Sequence, residues 1–527
     1  MKTHFQLLAL VLAFLMALPV FALAESQAEP IEVTIAVTRH PNDATQSYAE
    51  KHFAIQAEED TGIHVNWIEI TSAEQVTALL AGDLPDAFWG GNISDDVVSQ
   101  NADLFLPLED LMAEYAPNVL ALYEENFSGW ESYLTHPDGH IYGFMGGIYN
   151  RPNGMTYAAQ WINTRWLENV GMEIPTTAEE LYDVLVAFRD QDANGNGDPT
   201  DEIPLNFCNA YYCAKITNLA SMWGVPCTNA STGDFFTIQD GKVVGTVNTD
   251  AYRAFLETMY QWGQEGLINV EGLSQTVDQY TSQISGDRSG LFYDWAPYTS
   301  ITDADLKAQF QAQPAIAADG YEACVGVVGP INATRYAFVI SASSPYATDL
   351  VRWWDYLSQD LDMAMFVARG ENGLIYEKGE DGIYYDHTPT AEELIALGYD
   401  TYVNNIGSST LTASLGHMNY HPVVINDIAV DLTKDTTSNT AVRSLAIEAL
   451  KDAFEDEVMS QAMVPVANVD DRDFGTEGLI TYINEFTADA IINGVTDESW
   501  NQHLAQLETY NYGYYLEWYQ DYLDGNF

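Results

Sequence analysis

The segment DANGNGDPTDE, Asp192 to Glu202, carries the sharpest chemical pattern in the chain. Side-chain oxygens recur at alternate positions, Asp192, Asn194 and Asn196, and Gly197 lets the chain turn tightly enough for all three to converge on one point. Hard oxygen donors on a short loop suit Ca²⁺. With Asp192 as position 1, the glycine falls at position 6 and Asp198 at 7; position 12 is Ile203, so Asp201 or Glu202 must close the cage. The alternative is an Asn/Gly turn that binds nothing. Because no acid, base or nucleophile pattern surrounds the loop, an ion here would brace it and leave chemistry alone.

Catalytic patterns are missing. The chain has no G-x-S-x-G, H-E-x-x-H, G-x-x-x-x-G-K-[ST] or strand-borne G-x-G-x-x-G. His417 and His421 are four apart, but Pro422 disfavours the helix that would align them. Carboxylates paired only in space for glycoside hydrolysis stay open, since 77 Asp and Glu are present.

Those acids face 19 Lys and Arg, a net charge of −58. Such a field repels nucleic acid and anionic membranes. Apolar residues make up 47% and charged ones 18%, so the chain is expected to fold. Residues 1–24, with Lys2, the apolar run Leu7 to Leu18, and Ala22 and Ala24 before Glu25, read as a signal peptide. No other stretch is long and apolar enough to span a bilayer. The mature chain is therefore expected outside the cytoplasm, secreted, in a periplasm or at a cell surface. Cys208, Cys213, Cys227 and Cys324 lie far from the signal, so no lipobox cysteine anchors the protein. One local bridge among the first three, or buried free thiols, both fit the spacing.

The elements that must position these residues alternate between strand and helix. Ile31 to Val37, His64 to Ile70 and Ala87 to Trp89 read as strands, separated by helices over Thr45–Asp60 and Ala73–Leu80. That order predicts an α/β fold with a parallel sheet. Helices follow over Thr177–Arg189, Asp250–Glu265 and Thr348–Ser358, a buried strand over Arg335–Ile340, and a mainly helical tail from Thr476 to Tyr519. No Pro/Ser-rich linker separates domains, so the lobes must be interwoven.

Several short segments, in order, then carry a resemblance: GDLPD (82–86), DGHIYG (138–143), INTRWL (162–167), PTTAEELY (175–182), the Asp192 loop running into DEIPL (201–205), QEGLI (264–268), WWDY (353–356) and AIING (490–494) followed by Trp500. Together they resemble extracellular solute-binding proteins of ABC importers, within the oligosaccharide-binding branch that includes the alginate-binding periplasmic proteins. The resemblance covers nearly all of the mature chain. It implies a two-lobed clamshell that closes on a ligand and hands it to permease subunits, breaking no bond and working as a monomer. It implies lobe 1 over residues 25–155 with a return segment at about 330–360, lobe 2 over 156–329, and 361–527 as mainly lobe 2 and the helical C-terminal region. It carries structural calcium over to Asp192, Asn194, Asn196, Asp198, Asp201 and Glu202, with one more residue before the final acid pair than the family form.

Ligands of such sheets sit beyond the carboxyl ends of strands. Trp89 and Asn92 follow the third strand in FWGGN, whose two glycines would let backbone approach a ligand. Asp294, Trp295 and Tyr298 lie in LFYDWAPY, the segment similar to one that places a sugar-stacking tryptophan in related proteins. An aromatic plane covers the C–H face of a sugar, while Asp294 or Asn92 would meet its hydroxyls. Tyr149, Asn150 and Tyr142 are lesser candidates. Only 18 Lys and Arg remain once Lys2 is set aside, too few to favour a uronate, so a neutral oligosaccharide is the expected ligand. A peptide or charged sugar on the same fold, a secreted calcium-containing glycan-degrading enzyme and a non-transport adhesion module are the competing readings.

Overall fold

The computed structural model describes residues 31–90, 92–148, 156, 158–226, 235–327, 332–425, 428–455 and 476–526. Tyr149, Asn150, Cys227 and the expected signal peptide lie outside these residues. Along the chain the strands that build the two main sheets are β1 (Ile31–Thr38), β2 (Ile63–Ile70), β3 (Ala87–Trp89), β4 (Gly143–Ile148), β5 (Ala159–Asn163), β6 (Ile203–Asn206), β7 (Ser289–Asp294), β8 (Phe310–Ala312) and β9 (Asn332–Ile340).

The first sheet has the order β2-β1-β3-β9-β4. β1 runs parallel to β2 and β3, as the alternating strands and helices predicted. β9 is antiparallel to both of its neighbours, which the sequence did not predict. The reason is topological: Asn332 pairs with Ile148, so the chain leaves this sheet and re-enters it side by side, at the same end. A strand that enters where its neighbour exits must run the other way. The second sheet, β8-β5-β7-β6, is likewise mixed, with β6 parallel to β7 and β5 antiparallel to it. The fold is mixed α/β, and among the described residues no helix is long and apolar enough to cross a membrane.

Alternation along β1 sends Val33, Ile35 and Val37 to one core and Ala36 to another on the opposite face, so this sheet is covered on both sides. A separate core forms around the second sheet from residues including Trp161, Leu205, Phe255 and Phe292. The terminal helices Thr476–Asn493, Asp497–Thr509 and Tyr512–Leu523 bury Leu479, Trp500, Tyr515 and Trp518 in this second core. The helix Leu361–Arg369 does not join them: Val367 is buried in the first core, with Met363 and Phe366 packed against it. Thus the stretch expected to belong mainly to the second lobe begins on the first.

Local signals set several boundaries. Thr177 caps the helix Ala178–Asp190 by accepting from the Glu180 N–H, and Thr249 caps Asp250–Gln264 through Tyr252. The helix expected over Thr45–Asp60 is shorter, His52–Thr61, preceded by a single tight turn at Tyr48–Glu50. Lys51 between them is extended, and its buried ammonium donates to the carbonyls of Ala413, Ser414 and Gly416 at 2.7, 3.1 and 2.9 Å. A continuous helix would not leave this side chain in that position.

Candidate functional site

Trp89 closes β3 but shows nothing to solvent, with 0% exposure. Its indole N–H donates to the Tyr420 carbonyl at 2.6 Å, and Tyr48, Phe53, Trp353, Trp354 and His417 surround its ring. Every face is taken by protein, so Trp89 is core where a sugar contact was expected. Asn92 is half-buried and donates to Thr38 Oγ1 at 3.2 Å. Gly90 has φ +138°, and a Cβ there would lie 2.3 Å from Thr38 Oγ1. Its missing side chain therefore admits the end of β1, where the sequence suggested approach to a ligand.

The second sheet is different. Asp294 ends β7 at 0% exposure, and both of its oxygens are engaged. Oδ1 accepts from the Trp295 N–H at 2.7 Å, Tyr211 OH at 3.4 Å and Cys213 Sγ at 3.5 Å, while Oδ2 accepts from Ser300 Oγ at 2.5 Å. Burial pushes its carboxyl up to about 6, with these donors pulling the other way. Asp294 is thus an internal brace and is not presented to sugar hydroxyls as expected.

Trp295, by contrast, is only partly buried. Arg443 backs it: the guanidinium carbon lies 4.1 Å from the ring centroid, Nη1 donates to the Trp295 carbonyl at 2.9 Å, and Nη2 donates to the Thr156 carbonyl. Arg443 is itself 2% exposed and comes from the helix Asn439–Leu450. A charge-assisted clamp of this kind fixes both the backbone and the plane of the ring. Tyr298 follows in the one-turn helix Pro297–Ser300, and burial raises its hydroxyl to about 12 while Arg443 draws it down.

Sequence reasoning missed Arg443, and with it the turn after β6. There Cys208 N–H donates to the Ala214 carbonyl, closing a loop that carries Tyr211 and Tyr212. Tyr212 is 46% exposed, yet surrounding protein drives its pKa strongly upward. Lys215, half-buried, is lowered by burial alone. The legible signal was the adjacent tyrosines in NAYYCAK directly beyond a strand. The structure therefore gathers Asp294, Trp295 and Tyr298 with Arg443 and Tyr211, and leaves Trp89 and Asn92 on the other sheet.

The Asp192–Glu202 loop joins the helix Ala178–Asp190 to β6. Gly195 and Gly197 take φ of 75° and 91°. The Gly197 N–H donates to Asp192 Oδ2 at 2.9 Å, Asn196 N–H to Asn194 Oδ1 at 2.9 Å and Asp198 N–H to Asn196 Oδ1 at 2.7 Å. The Asn194 and Asn196 amides both donate to Asp201, and Asp198 accepts from Thr200. Three buried oxygens keep no hydrogen-bond partner: Asp192 Oδ1 and both oxygens of Glu202. Burial raises the Glu202 carboxyl, the nearby backbone N–H groups of Glu202 and Asn194 oppose it, and the charges of Asp201 and Asp192 push it further up. Among the described residues no three acid, His or Cys side chains draw together as a ready metal cluster. Hard oxygens on acidic side chains, buried and unspent, are nevertheless a donor set that suits a hard cation.

Known proteins share this fold. The fructooligosaccharide ABC transporter substrate-binding protein FusA of Streptococcus pneumoniae is 28% identical over 317 residues, 58% of this chain and 57% of FusA. The chain spans less than two thirds of the length of each curated relative it matches. FusA solved with kestose superposes at TM-score 0.74 and 22% identity, covering 94% of this chain and 99% of FusA, and an EF-hand mutant of FusA with fructo-nystose scores the same. An HMO-binding solute-binding protein from Bifidobacterium longum infantis gives 0.73 at 20% identity, over 94% of this chain and 98% of that one. The alginate-binding protein AlgQ2, solved without calcium ion, gives 0.62 at 18% over the same shares. These likenesses establish the two-lobed solute-binding fold. The family model for bacterial extracellular solute-binding proteins matches residues 39–354, more than half of the chain, and the chain belongs to that family.

Proposed function

We propose that this chain is the extracytoplasmic receptor of an ABC importer, capturing a neutral oligosaccharide between its lobes and delivering it intact to membrane permease subunits. The observation that carries this reading is Trp295: a part-exposed indole just beyond a strand end, with the Arg443 guanidinium against its ring and bonded to its carbonyl. A sugar ring presents C–H groups to an indole face, and removing them from water favours binding. Tyr298 completes the aromatic wall. Asp294 holds the Trp295 backbone and takes no part in bond breaking; the protein is a binder with no catalytic residue.

FusA and the HMO-binding protein, by their names, handle oligosaccharides, which supports the ligand class. The lobes follow the two cores, with the helix Leu361–Arg369 packed on the first. Residues 1–24 act as a secretion signal, and the receptor works as a monomer. Calcium is held by Asp192, Asn194, Asn196, Asp201 and Glu202, with Asp198 in the same loop; bound there it would neutralise crowded carboxylates and stiffen the turn into β6. A thermal-shift screen against neutral oligosaccharides, uronate oligomers and peptides, with product analysis, tests the function. A shift with intact neutral ligand is expected; a degraded hit, or a hit confined to peptides, overturns the reading.

A further inference from the structure

Tyr212 and Lys215 have no part in the clamp on Trp295, yet Tyr211 and Cys213 of the same loop are held by Asp294, which also holds the Trp295 backbone. Their loop follows β6, which runs parallel to β7, so it emerges at the end where Trp295 begins. Two of its side chains, Tyr211 OH and Cys213 Sγ, reach Asp294 Oδ1, the oxygen that also accepts the Trp295 N–H. The Cys213 carbonyl in turn accepts from Asn218 Nδ2, which ties the loop to the helical turns Ile216–Trp223. One carboxylate thus fixes the spacing of Trp295 and Tyr212 relative to each other.

Tyr212 stands against Tyr211 with centroids 5.1 Å apart and planes at 82°, so its neighbour supports it edge-on while almost half of its surface stays open. An exposed ring held rigidly at the rim of a part-buried aromatic cluster is a platform, because little entropy remains to be lost when something covers it. Lys215 adds a charge. In a chain with 77 acids and 19 basic residues, the buried Lys51 and Arg335 and the part-buried Arg39, Arg165 and Arg253 each hold a carboxylate. Lys215 holds none among the described residues, although acidic partners are abundant. An ammonium has three donors and no acceptor, so it lies ready for oxygen atoms from outside the chain.

We propose that Tyr212 and Lys215 form a second sugar subsite beside Trp295, where a neutral unit stacks on Tyr212 and its hydroxyl oxygens accept from the Lys215 ammonium. The inference rests on the proposed oligosaccharide-receptor function and deepens it: the ligand has at least two units, and the minimum length is set by the Asp294-anchored spacing. Neutrality follows from charge. A single ammonium adds a strong hydrogen bond to a hydroxyl, but does not offset the −58 field that a polyuronate would have to enter.

The test uses the full mature chain and ladders of fructans, maltodextrins, milk-type oligosaccharides and uronates, roughly two to six units long. Bound masses are read by native mass spectrometry and affinities by titration. Tyr212→Ala and Lys215→Met are expected to melt as the parent does, to weaken the longer bound members about tenfold, and to leave the shortest bound member unchanged; Tyr212→Phe keeps the whole pattern. Trp295→Ala is expected to lose every member. Unchanged affinities in Tyr212→Ala and Lys215→Met, with loss in Trp295→Ala, overturn the subsite and leave the receptor reading standing. A uronate preference that vanishes in Lys215→Met overturns its neutral character. A parent chain that holds no ladder member at all overturns both.

Discussion

Trp89 and Trp295 stand at corresponding places, each at or just past the carboxyl end of a central strand, one in each sheet. Around Trp89, distant segments supply Tyr48, Phe53, Trp353, Trp354 and His417, and the ring disappears into the core. Around Trp295, the Arg443 guanidinium lies against the ring, which packs on the second core and stays partly exposed. The difference teaches that the position at a strand end makes a residue available, while the number and chemistry of its neighbours decide its use. Apolar neighbours on every side make a core. A single charged backing, which holds a ring without needing to enclose it, makes a platform.

Exchanging alanine for each tryptophan gives the largest effects and would break the comparison most directly. Trp89→Ala removes a fully enclosed indole and is expected to cost about 3–5 kcal/mol of stability, read by denaturant unfolding, with ligand affinity of the folded fraction unchanged. Trp295→Ala is expected to abolish sugar binding in titration while the melting curve moves little. Reversal of the two outcomes would make Trp89 the ligand residue after all.

The Asp192–Glu202 loop sharpens the contrast, since it leads into β6 of the second sheet. Calcium bound there as proposed would, at about 100 times its dissociation constant, stabilise by about 2.7 kcal/mol. Stripping it with chelator is expected to lower the melting temperature by a few degrees, and Glu202→Gln should remove that response. A melting curve indifferent to chelator in the parent chain would discard the ion.

Much of this was legible in advance, and unevenly so. Period-two patterning gave β1 and β2, and Thr177 and Thr249 announced their helices, because these signals are local. The direction of β9 was not legible, since it depends on where the chain, 184 residues later at Asn332, comes back beside Ile148. The loop from Asp192 was readable from oxygen spacing, whereas the unspent oxygens of Glu202 needed burial to be known. Trp295 lies in a segment that the sequence singles out, but its partner Arg443 lies 148 positions away with nothing around it to mark the contact. For the same reason Asp294 was misread: a carboxylate next to an aromatic suggests a sugar, and only Tyr211, Cys213 and Ser300 folding onto it reveal a brace.

That brace has a pH signature of its own. The Asp294 carboxyl sits at about 6 in the fold against an ordinary value near 4, so between those pH values the folded chain keeps a proton that the unfolded chain has released. Stability from this residue therefore falls as pH rises from about 4 to 6, by about 2–3 kcal/mol, and is level above. Asp294→Asn cannot ionise, and the difference in stability between parent and variant, measured by denaturant unfolding across that range, should trace this fall. A difference that stays flat with pH would show that the carboxyl is not held protonated.

The smallest expected effect concerns the clamp itself. Arg443→Met preserves an unbranched apolar stem but removes the donors to the Trp295 and Thr156 carbonyls and the charge behind the ring. Weaker positioning of an intact indole is expected to cost about tenfold in sugar affinity, about 1.4 kcal/mol. Arg443→Lys should recover part of this, since an ammonium can still face the ring. A general loosening of the fold would give the same single-variant result, so the deciding measurement is a cycle with Trp295→Phe, which weakens binding without losing it. If Arg443 acts through the ring, its substitution costs less in the Trp295→Phe background than in the parent. Equal losses in the two backgrounds would show that the cation acts elsewhere, and the two tryptophans would then differ only in exposure.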